Sequence, residues 1–412
     1  MKKNISFESS LNDLEYELSH SDYSGFDPYD IKGTFPFMWA FSVPRKPFYK
    51  NVIRKFSLGV LLYGESFFPV LMRKLFSIKP VRNAKGIALI SKGYFNLYLA
   101  SGKEEWKIKG VKLLDWLGEN KSLGYDYPCW GYPFNWNNGE IIPAETPASV
   151  VTAAVFDAFW QAWMITKEKK YKDICQGIAA FFIEHLNIKR IDKDTICFSY
   201  TPLDNNMVHN TNLLVADCLL RIGLKTDNNN FISYGKKAAN FALKEQNDDG
   251  SLFYYGKQQN HINPDRIDHY HTGFEIRCLR NIWISTGDQK YKDAYMKYYD
   301  FYRKNLILKN KSDFFPLMYP GKLFPINIHS CAEAILLNAE LSNEIPSAQI
   351  LLNGLIDPIL SAMRMKRGGY KYMIRKIGPF KIHANIEYIR WGQSWMFLAL
   401  SKALLTYKED KD

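Results

Sequence analysis

The chain has 412 residues, a formal charge of +12, 47% hydrophobic residues and 15% aromatic ones. The length admits two or three domains as a soft prior, and the apolar content is ample for one large core, which excludes a disordered or low-complexity chain. Nucleic acid is excluded as a partner because Lys and Arg are spread along the chain and no zinc-finger, homeodomain or RNA-recognition signature accompanies them.

Residues 1–46 read as an N-terminal arm. Lys2 and Lys3 are followed by Glu8, Asp13, Glu15 and Glu17, which interrupt any apolar run, so no secretory signal is expected. Tyr23 to Pro47 is rich in Gly, Pro and aromatics. Residues 47–412 are expected to form one barrel domain. Basic residues concentrate at its start: Arg45, Lys46, Lys50, Arg54, Lys55, Arg73, Lys74, Lys79, Arg82 and Lys85. The apolar run 56–76 among them holds Glu65 and Pro69 and should not span a bilayer. It can lie on an anionic membrane surface or serve as an outer helix with solvated lysines, and both readings stand. The helix near 48–75 is expected to pack beside the last inner helix and close the ring.

From residue 81 onward a unit recurs. Its marker is a junction seen at Gly102-Lys103-Glu104-Glu105-Trp106, Lys167-Glu168-Lys169-Lys170-Tyr171 and Gly287-Asp288-Gln289-Lys290-Tyr291, with a looser copy at Asp227 to Tyr234. Trp106 and Tyr171 are 65 positions apart and Tyr171 and Tyr291 are 120, or two units of 60. Within a unit, Val150 to Ile165 is apolar nearly all round, whereas Tyr171, Ile174, Ile178, Phe181 and Phe182 mark a single face. The first pattern predicts a helix buried on every side and the second an outer helix. Thr146-Pro147 is the expected start of the former, an N-cap hydroxyl before a proline. Inner runs fall near 81–100, 147–166, 208–224, 268–286, 329–342 and 386–407. Six inner and six outer helices make an all-α (α/α)6 barrel. Ile196–Tyr200, Ser251–Tyr255 and Gly369–Met373 are strand-like and predict small β-hairpins over the mouth.

The six cysteines are scattered without CxxC spacing and read as buried free thiols in a reducing compartment. A cytoplasmic protein is therefore expected, with peripheral contact at the inner membrane if residues 45–85 lie on lipid. No Walker loop, GxGxxG, GxSxG, HExxH or EF-hand is present, so neither a metal nor a cofactor is expected.

Polar groups that open consecutive inner helices should converge on one rim. Asp268, His271 and Glu275 share a helical face with the histidine between two carboxylates, an arrangement suited to acid or base work. Capping by Asp268 is the competing reading. Tyr255, Tyr270 and Glu145 join Asp268 and His271 as candidate catalytic groups. Trp130, Tyr132, Asn135 and Trp136 form an aromatic platform on which a sugar face could stack. His209, Asn210, His329, Arg390 and Trp391 complete the candidate binding set. Arg390 could clamp a carboxylate or phosphate, or else pair with Glu387 or another rim acid.

The barrel pattern, with Asp248-Asp249-Gly250-Ser251, Asp268-His269-Tyr270-His271-Thr272 and Arg390-Trp391-Gly392-Gln393-Ser394-Trp395, resembles the (α/α)6 carbohydrate-active proteins. These include uronyl 5-epimerases, unsaturated-uronyl hydrolases, N-acylglucosamine 2-epimerases and heparinase-like lyases. The resemblance covers roughly residues 80 to 407. Tyr270-His271-Thr272 looks like the Tyr-His-Thr of glucuronyl 5-epimerases, and also like proteins of bacterial surface-polysaccharide gene clusters. The lyase Asn-His-Tyr set is missing from any one segment, and a separate β-sandwich domain has no room. The resemblance implies an enzyme on an anionic, uronate-containing oligo- or polysaccharide, free or lipid-linked, that abstracts a proton in an epimerase- or elimination-type reaction. Two alternatives remain: a glycoside hydrolase using two carboxylates from Asp268, Glu145, Asp248 and Asp249, and a non-catalytic glycan-binding protein.

Overall fold

A computed structural model describes residues 7–43, 47–137 and 141–409. Lys2, Lys3, Arg45 and Lys46 lie outside them. Four helices precede the repeat: α1 (Phe7–His20), α2 (Phe35–Ser42), α3 (Phe48–Phe67) and α4 (Pro69–Leu75). Five inner–outer pairs follow: α5 (Ala84–Ser101) with α6 (Glu104–Glu119), α7 (Ser149–Thr166) with α8 (Lys169–His185), α9 (His209–Lys225) with α10 (Asn229–Glu245), α11 (His269–Thr286) with α12 (Gln289–Asn305), and α13 (Ile328–Leu341) with α14 (Pro346–Met363). A π-turn at Ile389–Gln393 leads into the sixth inner helix, α15 (Ser394–Glu409). Each inner helix packs on its ring neighbours and α15 returns to α5. The protein is an all-α (α/α)6 barrel.

The repeated junction is the tight turn from inner to outer helix. Gly102, Lys167 and Gly287 sit there in the left-handed region at φ 69°, 62° and 69°, each donating its amide to the carbonyl four residues back. Glycine takes this conformation freely, which explains its recurrence at the marker. At the other end of the unit the expected Thr146-Pro147 start is replaced: α7 opens at Ser149, because Pro147 is held extended in a bridge to Gly131.

Burial separates the two helix types. Every residue of α13 from Ile328 to Ala339 is buried, whereas α10 buries only the face carrying Phe231, Gly235, Ala238, Ala239, Phe241 and Ala242. The seam that closes the ring depends on a small residue, since a Cβ at Gly93 of α5 would come within 2.5 Å of the Phe397 ring on α15. The sixth outer helix is α1, not the segment near 48–75. Leu11, Leu14 and Leu18 of α1 form a buried helical stripe against α14 and α15. Glu15 accepts from Tyr94 of α5 at 2.8 Å and from Lys109 of α6 at 2.7 Å, tying α1 to the first unit. By contrast α3 has no buried residue, because its apolar stripe faces away from the barrel.

The hairpins all lie in loops that run from an outer helix to the next inner one. They are β1 (Trp136–Asn137) with β2 (Ile141–Ile142), β3 (Ile188–Asp192) with β4 (Thr195–Phe198), β5 (Ile307–Asn310) with β6 (Asp313–Pro316), and the three-stranded β7 (Ile326–Asn327), β8 (Met373–Ile377) and β9 (Phe380–Ala384). Of the strand-like pieces, Ile196–Tyr200 largely coincides with β4, and Gly369–Met373 reaches β8 only at Met373. Ser251–Tyr255 contributes a single bridge, Tyr255 to Val208, because the Asp249-Gly250 turn and Arg266 take up its backbone groups.

Polar side chains cross the barrel axis below the mouth. Lys92 of α5 pairs with Asp157 of α7 at 3.2 Å, Arg221 of α9 bridges Asp157 and Asp217, and Asn281 of α11 reaches Asp217 at 3.2 Å. Arg277 of α11 pairs with Glu333 of α13 at 2.8 Å. This layer is the floor beneath the site. The six cysteines are all free and buried.

Candidate active site

The loops that carry the hairpins leave a cavity of about 210 Å³ at the end of the barrel where the inner helices begin. Lys85 enters it from α5, Val150 from α7, Asn210 from α9, Tyr270, His271 and Phe274 from α11, His329 from α13, and Arg390 and Trp391 from the π-turn. Loops add Tyr29, Tyr132, Phe134, Trp136, Asn137, Tyr200, Tyr254, Tyr255 and Arg266. No aspartate or glutamate lines it among the described residues.

His271 is positioned by its own helix cap. Asp268 is the N-cap of α11; one oxygen accepts the His271 amide at 3.1 Å and the other the His271 Nδ1 at 2.8 Å. Arg266 donates to the same carboxylate at 3.0 Å. Asp268 is fully buried; burial raises its pKa, but His271 and Arg266 outweigh this and hold the carboxyl below the usual range. Burial lowers the His271 pKa more strongly than Asp268 raises it, so the imidazole is neutral near pH 7. With Nδ1 donating to Asp268, Nε2 keeps a free lone pair and has no protein partner among the described residues. Glu275 is not the second flanking carboxylate. It accepts from Tyr298 of α12 at 2.6 Å, on the side of α11 that packs outward.

The tyrosines are held in the protonated phenol form, which cannot accept a proton from carbon. Burial pushes Tyr270 well above the ordinary phenol value and also raises Tyr255 and Tyr254. Tyr270 stacks on His329 with ring centres 4.6 Å apart, and Trp391 meets His329 edge-on at 4.8 Å. Neither His329 ring nitrogen has a protein partner among the described residues, and burial lowers its pKa well below the usual value.

Three cations line the cavity and two of them are already paired. Arg390 donates from Nη2 to Asp27 at 2.7 Å, and its Nε reaches the other oxygen of the same carboxylate. Its pairing acid comes from the N-terminal segment; Glu387 binds Arg367. Arg266 is taken by Asp268. Lys85 forms neither a side-chain hydrogen bond nor an ion pair among the described residues and lies about 5.5 Å from the Trp395 and Phe274 ring centres. It is only 6% exposed, and burial, with Arg390 and Arg277 nearby, lowers its pKa to about 7. Sequence reasoning grouped Lys85 with the surface basic run and missed it. Its place inside the inner-helix run near 81–100 was the available signal.

Of the candidate residues, Tyr132, Trp136, Asn210, Tyr255, Tyr270, His271, His329, Arg390 and Trp391 come together around the cavity, and Asp268 stands directly behind His271. Four do not line it. Trp130 is a core residue, its Nε1 donating to the Leu117 carbonyl at 3.0 Å and its ring tilted against Phe159. Asn135 is an exposed loop residue that accepts from the Ala144 amide. His209 is held behind the wall between the Phe253 carbonyl at 2.7 Å and Glu245 at 3.1 Å. Glu145 takes φ 61° and donates its amide to Tyr132; this turns it to a separate depression with Arg82 and Trp116. Asp248 and Asp249 are exposed in a turn, where Asp249 accepts from Ser251. No three metal-ligating side chains cluster among the described residues.

No protein-family model matches the sequence, and no curated protein matches it. Solved structures match the fold. A cellobiose 2-epimerase from Bacillus thermoamylovorans aligns with a TM-score of 0.57 at 12% identity, over 80% of this chain and 88% of that one. A family 76 glycoside hydrolase, an α-mannanase of Bacteroides thetaiotaomicron, gives 0.59 at 13% identity over 81% and 89%. A family 88 glycosyl hydrolase from Bacteroides vulgatus gives 0.53 at 9% over 79% and 93%.

Proposed function

We propose that the protein is a carbohydrate-active enzyme that moves a proton on an anionic, uronate-containing glycan, with His271 as the proton-transfer group. The observation that carries this reading is the Asp268–His271 pair at 2.8 Å on the wall of a cavity lined by aromatics and an unpaired lysine but by no carboxylate. His271 Nε2 takes the proton from the carbon next to the sugar carboxylate, and the electron pair moves onto that carboxylate. Lys85 offsets the developing enolate-like charge, a role that Arg390 fills poorly while it carries Asp27. Return of a solvent-derived proton on the opposite face, with His271 passing its own proton to water, gives the epimer; loss of the substituent one carbon further, its oxygen taking the proton from His271, gives an unsaturated sugar.

The carbohydrate epimerases and hydrolases that share the fold support the substrate class. The Tyr270-His271-Thr272 resemblance supports a uronate polymer of the bacterial surface, free or lipid-linked. Hydrolysis by paired carboxylates is the weaker reading, because Asp268 is committed to His271 and Arg266, and Glu145, Asp248 and Asp249 are outside the cavity.

The test is incubation with oligouronides in deuterium oxide followed by mass spectrometry and reducing-end assay. Deuterium in the sugar without new ends is expected for epimerisation, and an absorbing unsaturated end for elimination. New saturated reducing ends without label would replace this reading by hydrolysis, and tight binding with neither outcome would make the protein a glycan-binding module.

A further inference from the structure

The segment from α3 to α4 is not used by the cavity or by the barrel core. Not one of the 20 residues of α3 is buried. Phe48, Val52, Ile53, Phe56, Tyr63 and Phe67 are all exposed, Phe48 at 81%, Phe56 at 73% and Tyr63 at 67%. At about 100° per residue these six share an arc of roughly 140°, one continuous stripe. The stripe continues into α4 and the residue before it through Phe68, Leu71 and Leu75, each more than 60% exposed. An apolar surface of this extent is far outside what scattered surface hydrophobes produce.

The charges around the stripe have one sign. Lys50 and Lys55 flank it on α3, and Lys74 and Lys79 follow on α4 and just beyond; none has an acidic partner among the described residues. The acid of this segment, Glu65, is turned inward, accepting from Tyr388 at 2.6 Å and lying 3.7 Å from Arg73. No helix among the described residues is long and apolar enough to cross a membrane.

We propose that the apolar stripe of α3 and α4 docks on an anionic phospholipid leaflet, the rings entering the interface and the flanking lysines meeting lipid phosphates. An amphipathic helix with cations bordering its apolar face has the chemistry of a membrane-surface element. A second copy of the chain fits less well, because a two-fold contact through this stripe would set its lysines against like charges. The element is fastened beside the cavity. Arg73 of α4 is buried and pairs with Asp30 at 2.8 Å while donating to the Asp27 carbonyl at 2.9 Å, and the Asp27 carboxylate holds the cavity residue Arg390. Membrane contact is therefore joined to the site through three residues and one loop.

Vesicle flotation of the full chain tests this, with vesicles of phosphatidylcholine alone and of phosphatidylcholine with phosphatidylglycerol. Binding to the anionic vesicles is expected to be roughly tenfold or more stronger than to the neutral ones, and to fall with added salt. The double change Phe56→Asp with Tyr63→Asp should abolish it while leaving the thermal unfolding curve in place, since both side chains are exposed. Lys50→Glu with Lys55→Glu should remove the preference for the anionic lipid. Failure to bind anionic vesicles, or equal flotation of the parent and the Phe56→Asp/Tyr63→Asp variant, overturns the proposal. So does a stable parent dimer, by light scattering, that this variant converts to monomer, because a second copy would then own the stripe.

Discussion

Asp268 holds His271 twice, accepting its backbone amide at 3.1 Å with one carboxylate oxygen and its Nδ1 at 2.8 Å with the other. A single side chain thus starts helix α11 and fixes the tautomer of the group at its mouth. The cap and the chemistry cannot be separated by position, but they can be separated by measurement.

His271→Asn should keep the fold, since Asp268 still caps the helix through the backbone amide, and should lower turnover by roughly 100-fold or more, as loss of a positioned proton-transfer group does. Thermal unfolding and turnover on an oligouronide are measured on the same preparation. A variant of parental stability and parental rate would remove His271 from the mechanism.

Asp268→Asn addresses the pairing. The carboxylate raises the His271 pKa against the larger effect of burial, so its loss should move the acid limb of the kcat/KM profile to lower pH while turnover drops. Asparagine still caps, but Arg266 loses its buried carboxylate partner, so stability should fall by roughly 1–3 kcal/mol without loss of the fold. An acid limb that stays in place would mean that another group titrates there.

Lys85→Met should weaken binding of an oligouronide while leaving a neutral oligosaccharide unaffected, and affinity of the parent for the anion should fall as pH rises through about 7, where Lys85 loses its charge. The stability effect has the opposite sense. The folded pKa lies below the unfolded value of 10.5, so the folded state holds fewer protons and parental stability rises with pH between about 7 and 10.5. Methionine removes that slope and should melt higher at pH 6 by at least about 1 kcal/mol, the gap closing toward pH 10. Denaturant unfolding at the two pH values checks this; parallel curves would contradict it.

Tyr132→Ala and Trp130→Ala should fail in different ways. Tyr132 faces the cavity, so its loss should cost affinity for glycan. Trp130 is in the core and satisfies the Leu117 carbonyl, so its truncation should cost about 3–5 kcal/mol of stability. Calorimetric titration beside thermal melts separates the two, and an affinity loss confined to Trp130→Ala would reverse the assignment.

Closure of the barrel by α1 predicts that Leu14→Ala destabilises by about 2–5 kcal/mol, as for a buried leucine, while Phe56→Ala on the exposed α3 changes stability by less than about 0.5 kcal/mol. Equal melting shifts would show that α3, and not α1, completes the outer ring.

The sequence alone determined the barrel and its inner–outer alternation, because a helix buried on all sides and one buried on a single face leave different periodicities. It also exposed the Asp268–His271 pair, which rests on neighbours three residues apart on one helix. Tertiary structure decided the rest. Arg390 meets Asp27 across 363 positions, and α1 rather than α3 fills the last outer place; neither local propensity nor spacing encodes which distant partner arrives. Glu275 shares the His271 face by spacing yet bonds Tyr298, since the packing of α12 fixes which way a long side chain turns. Lys85 sits in a run of lysines and arginines of which, among the described residues, only Arg73 is also buried, and Arg73 has Asp30 as its partner while closure of the ring buries Lys85 without one; the physical reason is that burial belongs to the assembled helices and not to the residue.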